Sequence, residues 1–178
     1  MTRLYNHTKY PDQILKDILN FAARCAGVEG DVPVKITHCT HLRGGGEAHD
    51  NKPYLKTLKG RPTTSKDKRT LNCPRGWVGM HLPRTLGVTP QASLVAAEWF
   101  VDVAIHEMAH VRQYRTFKFY NPAYYGRVTK GGRRVAHDKR PCEVDANNTV
   151  DATRENRARD RRRQELAIEL AIILEGTN

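Results

Sequence analysis

His106-Glu107-Met108-Ala109-His110 sets two imidazoles four residues apart, with a carboxylate beside the first. On a helix, positions i and i+4 project from one face, one turn apart. Two imidazoles held this way can chelate one Zn²⁺, and the glutamate between them can act as general base on a water at the metal. Met108 and Ala109, apolar and small, fit a placement inside a helix.

A catalytic zinc takes three protein ligands and keeps one position open. The extended pattern with a third histidine six residues downstream is absent, because Gln113 and Thr116 hold those positions. The third ligand must come from further along, and Glu143, His137 and Asp145 are the candidates. Glu143 is favoured. It lies near the start of a helix opened by Pro141, and a helix packed on the HExxH helix can aim a carboxylate at the metal.

The stretch HEMAHVRQYR followed by RPCEVDAN resembles the zincin metallopeptidases, in particular the glutamate-zincins, and is similar to the small SprT-like and ImmA-like peptidases of cells and phages. The likeness spans about residues 76–150. Two features depart from the best-known pattern. The interval from His110 to Glu143 is longer than usual. The position four after Glu143 is Asn147, where many of these enzymes carry an acid that orients a ligand histidine; Asn147 or Asp145 could supply that bond.

The resemblance implies an α+β fold: a small zincin-like domain with a short, mostly antiparallel sheet packed on the HExxH helix and a glutamate-bearing helix. It implies one Zn²⁺ on His106, His110 and Glu143, and an endopeptidase that cleaves peptide bonds through a zinc-bound water activated by Glu107. The developing oxyanion needs a further donor. Tyr124, Tyr125 and His137 lie between the ligands in sequence and could supply it, as could Arg140. The strand before the HExxH helix, Gly76, Trp77, Val78, Gly79 and Met80 through Leu82, is expected to form the sheet edge that pairs with an extended substrate.

The elements that must position these residues are partly visible. Pro11 to Cys25 predicts a helix, with Ile14, Leu15, Ile18, Leu19 and Ala22 at helical spacing. Val32 to Thr37 predicts a strand, and so does Gly76 to Leu82. Thr89-Pro90 opens a long helix running to about Phe117. Residues 43–75, glycine-rich and then basic, are expected to form a long loop with a hairpin near Tyr54 to Leu58. Residues 1–150 are expected to form the zincin-like domain. Residues 151–178 form a charged, then amphipathic C-terminal helix packing on it.

The 178 residues carry a net charge of +11. That excess favours polyanionic neighbours, so nucleic acid is a possible partner beside a protein or peptide substrate. The six arginines between Arg154 and Arg163 are either phosphate contacts or a solvated helix with i,i+4 pairs. Asp102, one turn before His106, reads as a solvated helix acid. Cys25, Cys39, Cys73 and Cys142 are dispersed and suit a reducing compartment. His38, Cys39, His41 and Cys73 match no zinc-finger spacing. No run approaches the length of a membrane span and no apolar signal segment opens the chain, so a cytoplasmic protein is expected. The alternative from another class is a basic, nucleic-acid-binding or virion-associated protein in which zinc is structural only.

Overall fold

The computed structural model describes residues 2–39, 45–60, 70–83, 89–117 and 135–176. The described residues form an α+β fold of four strands and five helices. In chain order these are β1 (Thr2–Asn6), α1 (Asp12–Cys25), β2 (Val32–Cys39), β3 (Gly45–His49), α2 (Leu55–Lys59), β4 (Trp77–Pro83), α3 (Pro90–Thr116), α4 (Pro141–Glu155) and α5 (Arg157–Glu175). A single 3₁₀ turn, His137–Lys139, leads into α4. No described helix is long and apolar enough to cross a membrane.

The sheet order is β1-β2-β4-β3. β1 pairs parallel to β2, β2 parallel to β4, and β3 antiparallel to β4. The expectation of a mostly antiparallel sheet is therefore corrected to a mixed sheet with two parallel pairings of three. The cause is connectivity. Helices α1 and α2 fall within the links between the parallel strands, and parallel neighbours need such crossovers. The hairpin expected near Tyr54 is the short helix α2, and Tyr54 instead bridges Thr70.

Helix α1 buries Ile14, Leu15, Ile18, Leu19 and Ala22, the predicted stripe, with Phe21 added. It starts at Asp12, and Pro11 sits at the extended N-cap position rather than inside the first turn. Helix α3 begins as predicted. The Thr89 hydroxyl accepts the Ala92 N–H at 3.3 Å, and Pro90 opens the first turn. Ala97, Phe100, Ala104, Ile105 and Met108 of α3 are fully or almost fully buried against α1, α5 and the sheet. A helix covered on several sides carries apolar residues nearly all round, not on one stripe.

The charged stretch after Pro141 is two helices, divided at Asn156, whose side chain caps α5 by accepting the Arg159 N–H at 3.1 Å. Helix α5 packs along α3 through Leu166, Leu170 and Leu174. Asp102 is buried, not solvated. It pairs with Arg154 at 2.7 Å and with buried Arg163 at 3.5 Å, and Arg163 also bonds Asp160 at 2.9 Å. Arg161 and Arg162 both reach Glu165 at 3.1 Å. Four of the six arginines are thus engaged within the fold.

Candidate metal centre

The middle of α3 carries His106, Glu107 and His110, and the first turn of α4 carries Glu143. The helices pack together because each turns small or apolar residues inward, Ala109 from α3 and Ala146 from α4. That packing converges three donors. His110 Nε2 lies 3.1 Å from His106 Nε2 and 3.2 Å from Glu143 Oε2, and His106 Nε2 lies 3.3 Å from Glu143 Oε2. Tetrahedral zinc with metal–nitrogen and metal–oxygen bonds near 2.0–2.2 Å separates its donors by about 3.3–3.5 Å. The triangle matches that spacing closely, and its two imidazoles and one carboxylate are the donor chemistry zinc takes. Among the described residues this is the one group of three His, Cys, Asp or Glu side chains close enough to hold an ion.

The electrostatics agree. Burial works to raise the Glu143 carboxyl, but the two imidazoles and His137 overcome it and hold it well below the usual carboxylate range. Burial works to lower His110; bonds to Glu143 and Gln113 outweigh it, and the imidazole is raised. Glu107 is buried and raised, chiefly by desolvation, while both histidines and the Ala48 N–H pull it partly back.

Two cavities flank the donors. One, of about 350 Å³, is lined by His106, Glu107, His110 and Glu143 together with Tyr114, His137 and Arg140. The other, of about 590 Å³, lies toward Trp99, Val103, Asn147 and Val150. Gly46, His106 and Glu107 border both.

Strand β3 forms the rim. A Cβ at Gly46 would lie 2.7 Å from both Glu107 Cγ and Val103 Cγ1, so the strand rests directly on α3. The Ala48 backbone lies beside Glu107, whose carboxyl its N–H helps to lower, and its carbonyl accepts the Tyr114 hydroxyl at 3.3 Å. This arrangement corrects the expected substrate strand. Gly76 to Met80 cannot be an edge, because β4 is paired on both sides, to β2 and to β3. Val78 and Met80 are fully buried, Trp77 stacks on His49 at 3.9 Å, and Gly76 sits at φ +95° against Val111. Among the described residues the edge strand beside the donors is β3, which sequence reasoning placed in a loop.

The other expected residues divide. His137 is not a member of the donor triangle; its Nε2 lies 3.2 Å from Glu143 Oε1, the oxygen turned away from the two imidazoles, and its side chain is 70% exposed. Asp145 is not a ligand either, since it pairs with Arg112 at 2.7 Å. Asn147 is exposed on the second cavity. Arg140 caps α4 and lines the first cavity, and its buried Nε has no hydrogen-bond partner among the described residues. Tyr124, Tyr125 and His41 lie outside the described residues, and His38, Cys39 and Cys73 form no metal group among them.

Sequence reasoning missed Gly46, Tyr114 and Gln113. Gln113 accepts from His110 Nδ1 at 2.8 Å, and its position three residues after His110, one turn along the same face, was the available signal. No protein-family model matches the chain, and neither a curated protein nor a solved structure matches it.

Proposed function

We propose that this chain is a zinc-dependent endopeptidase of the zincin kind. One observation carries the reading: three donors at tetrahedral spacing, with the buried carboxylate of Glu107 beside them, open to a cavity rimmed by the strand at the edge of the described sheet. A structural zinc site is closed by a fourth protein ligand, whereas a catalytic one keeps a position open. The described residues supply three.

His106, His110 and Glu143 would hold the ion. Zinc bound there supplies a Lewis acid that polarises a carbonyl and acidifies water. Glu107 takes the proton from the attacking water and returns it to the leaving nitrogen. Its burial raises its basicity toward neutral pH, which suits that exchange. The Gly46 backbone, packed against the Glu107 Cγ, confines the carboxylate. Arg140 and His137 face the same cavity and are the available donors to negative charge developing on the substrate oxygen. A peptide laid along β3 meets the backbone of Gly46, two residues before Ala48 and turned to the same side. The cavities on either side leave room for chain in both directions, which favours internal cleavage.

The test is elemental analysis beside a peptide-library digest, on wild type and Glu107→Gln. The expected result is near one zinc per chain in both, with turnover in the variant lower by about 10²–10⁴-fold. Folded wild-type protein that takes up no zinc would overturn the reading. Zinc held tightly with no cleavage by either protein would assign the triad a structural role.

A further inference from the structure

We infer that Gln113 is the positioning residue of the metal centre: it holds His110 as the Nδ1–H tautomer and ties both ligand-bearing helices to one amide group. The inference rests on the metal-site reading above and concerns how that site is preassembled.

Gln113 is buried, 2% exposed, and every polar atom of its side chain is engaged. Nε2 donates to the Cys142 carbonyl at 2.8 Å and to Asp145 Oδ2 at 2.8 Å. Both partners are acceptors only, since Asp145 is paired with the Arg112 guanidinium at 2.7 Å. The amide nitrogen must therefore point at α4, and Oε1 must point at His110 Nδ1, 2.8 Å away. A carbonyl oxygen cannot donate, so Nδ1 carries the hydrogen. With Nδ1 fixed as the N–H, Nε2 is the nitrogen left to offer its lone pair to a metal, and it is the atom that faces His106 and Glu143.

The consequence is reach. Cys142 immediately precedes Glu143, so one side chain on α3 grips the backbone that presents the third ligand. Arg112, which orients Asp145, also approaches Thr149 Oγ1 at 3.5 Å and the Ala26 carbonyl at 3.4 Å. The tautomer of a metal ligand is thereby set by a relay, Arg112 to Asp145 to Gln113 to His110, whose far end lies beyond the donor triangle. Partners of this kind raise metal affinity by fixing ring orientation and basicity.

The experiment is nitrogen-15 NMR of the histidine rings with chelator-competition zinc affinity, on wild type, Gln113→Leu and Gln113→Glu. Expected in zinc-loaded wild type is a His110 with protonated Nδ1 and unprotonated Nε2, and in metal-free wild type a ring that keeps its Nδ1 hydrogen. Gln113→Leu should show both tautomers and a zinc affinity lower by about 10–100-fold. Gln113→Glu keeps an acceptor at Nδ1 and should keep the tautomer. A wild-type His110 whose Nδ1 carries no hydrogen overturns the inference, even where both variants fail to fold. Unchanged tautomer and affinity in folded Gln113→Leu would overturn it too. Failure of wild type to bind zinc, with the Nδ1–H tautomer intact, would count against the metal reading alone.

Discussion

Replacing Gly46 by alanine should injure the centre without touching a single ligand. The added Cβ would stand 2.7 Å from Glu107 Cγ, 2.7 Å from Val103 Cγ1 and 3.2 Å from Glu107 Cδ. Ordinary carbon contacts begin near 3.5 Å, so strand and helix must separate by about 0.8 Å. Glu107 cannot swing clear, because it is 7% exposed. Overpacking of this size costs about 1–3 kcal/mol, or a Tm lower by roughly 4–8 °C at the middle of that range. On the proposed peptidase reading, a base displaced by most of an ångström costs on the order of 10²-fold in kcat. Gly45→Ala is the matched control, since a Cβ there meets nothing within 4 Å. Neither position has a positive φ, so steric contact alone separates the two variants. The assays are differential scanning calorimetry, zinc stoichiometry and peptide turnover. Gly46→Ala that melts and turns over like Gly45→Ala would refute the close approach of β3 to α3, and with it the placement of Glu107.

Three further outcomes follow from the same geometry. Glu143→Ala should lose most bound zinc, while His137→Ala should retain it, because His137 touches the oxygen turned away from the imidazoles; elemental analysis after dialysis separates the two. In metal-free protein Glu107 is raised above its unfolded value, so it favours folding below about pH 4.3 and that contribution is lost as pH rises through the folded pKa. Metal-free Glu107→Gln should therefore melt higher than metal-free wild type at pH 8, with the gap shrinking toward acid pH. Asp102→Ala should cost roughly 2–3 kcal/mol in chemical denaturation, since Arg163 stays buried with only Asp160 to balance it; an unchanged midpoint would contradict the burial of that pair.

The centre was more legible than the sheet that frames it. His106, Glu107, His110 and Glu143 sit on helices whose periodicity and caps are written locally, Thr89-Pro90 before one and Pro141 at the start of the other. Strand β3 was hidden. Gly45-Gly46-Glu47-Ala48-His49 has the composition of a loop, and it is a strand because α3 leaves space there for backbone alone. Strand β1 is only partly buried along its whole length, so Thr2–Asn6 lacks the alternation that marks a half-buried strand. With β1 and β3 unseen, the crossovers that make the sheet mixed were unseen as well. The arginines are a different case. Charge is visible in a sequence, but its partner is not, and Arg115 is spent on the carbonyls of Glu29, Asp31 and Arg75.

An open strand edge is also an invitation to the wrong guest, because unpaired backbone groups will template another sheet as readily as a peptide. Strand β3 blunts that hazard in three ways. It is five residues long and begins with two glycines. Glu47, at its centre, has a side chain 75% exposed, and a second copy of the strand would bring a like charge beside it. The Ala48 carbonyl is already engaged, accepting the Tyr114 hydroxyl. What remains open along β3 among the described residues is short, too little to nucleate self-assembly of the sheet.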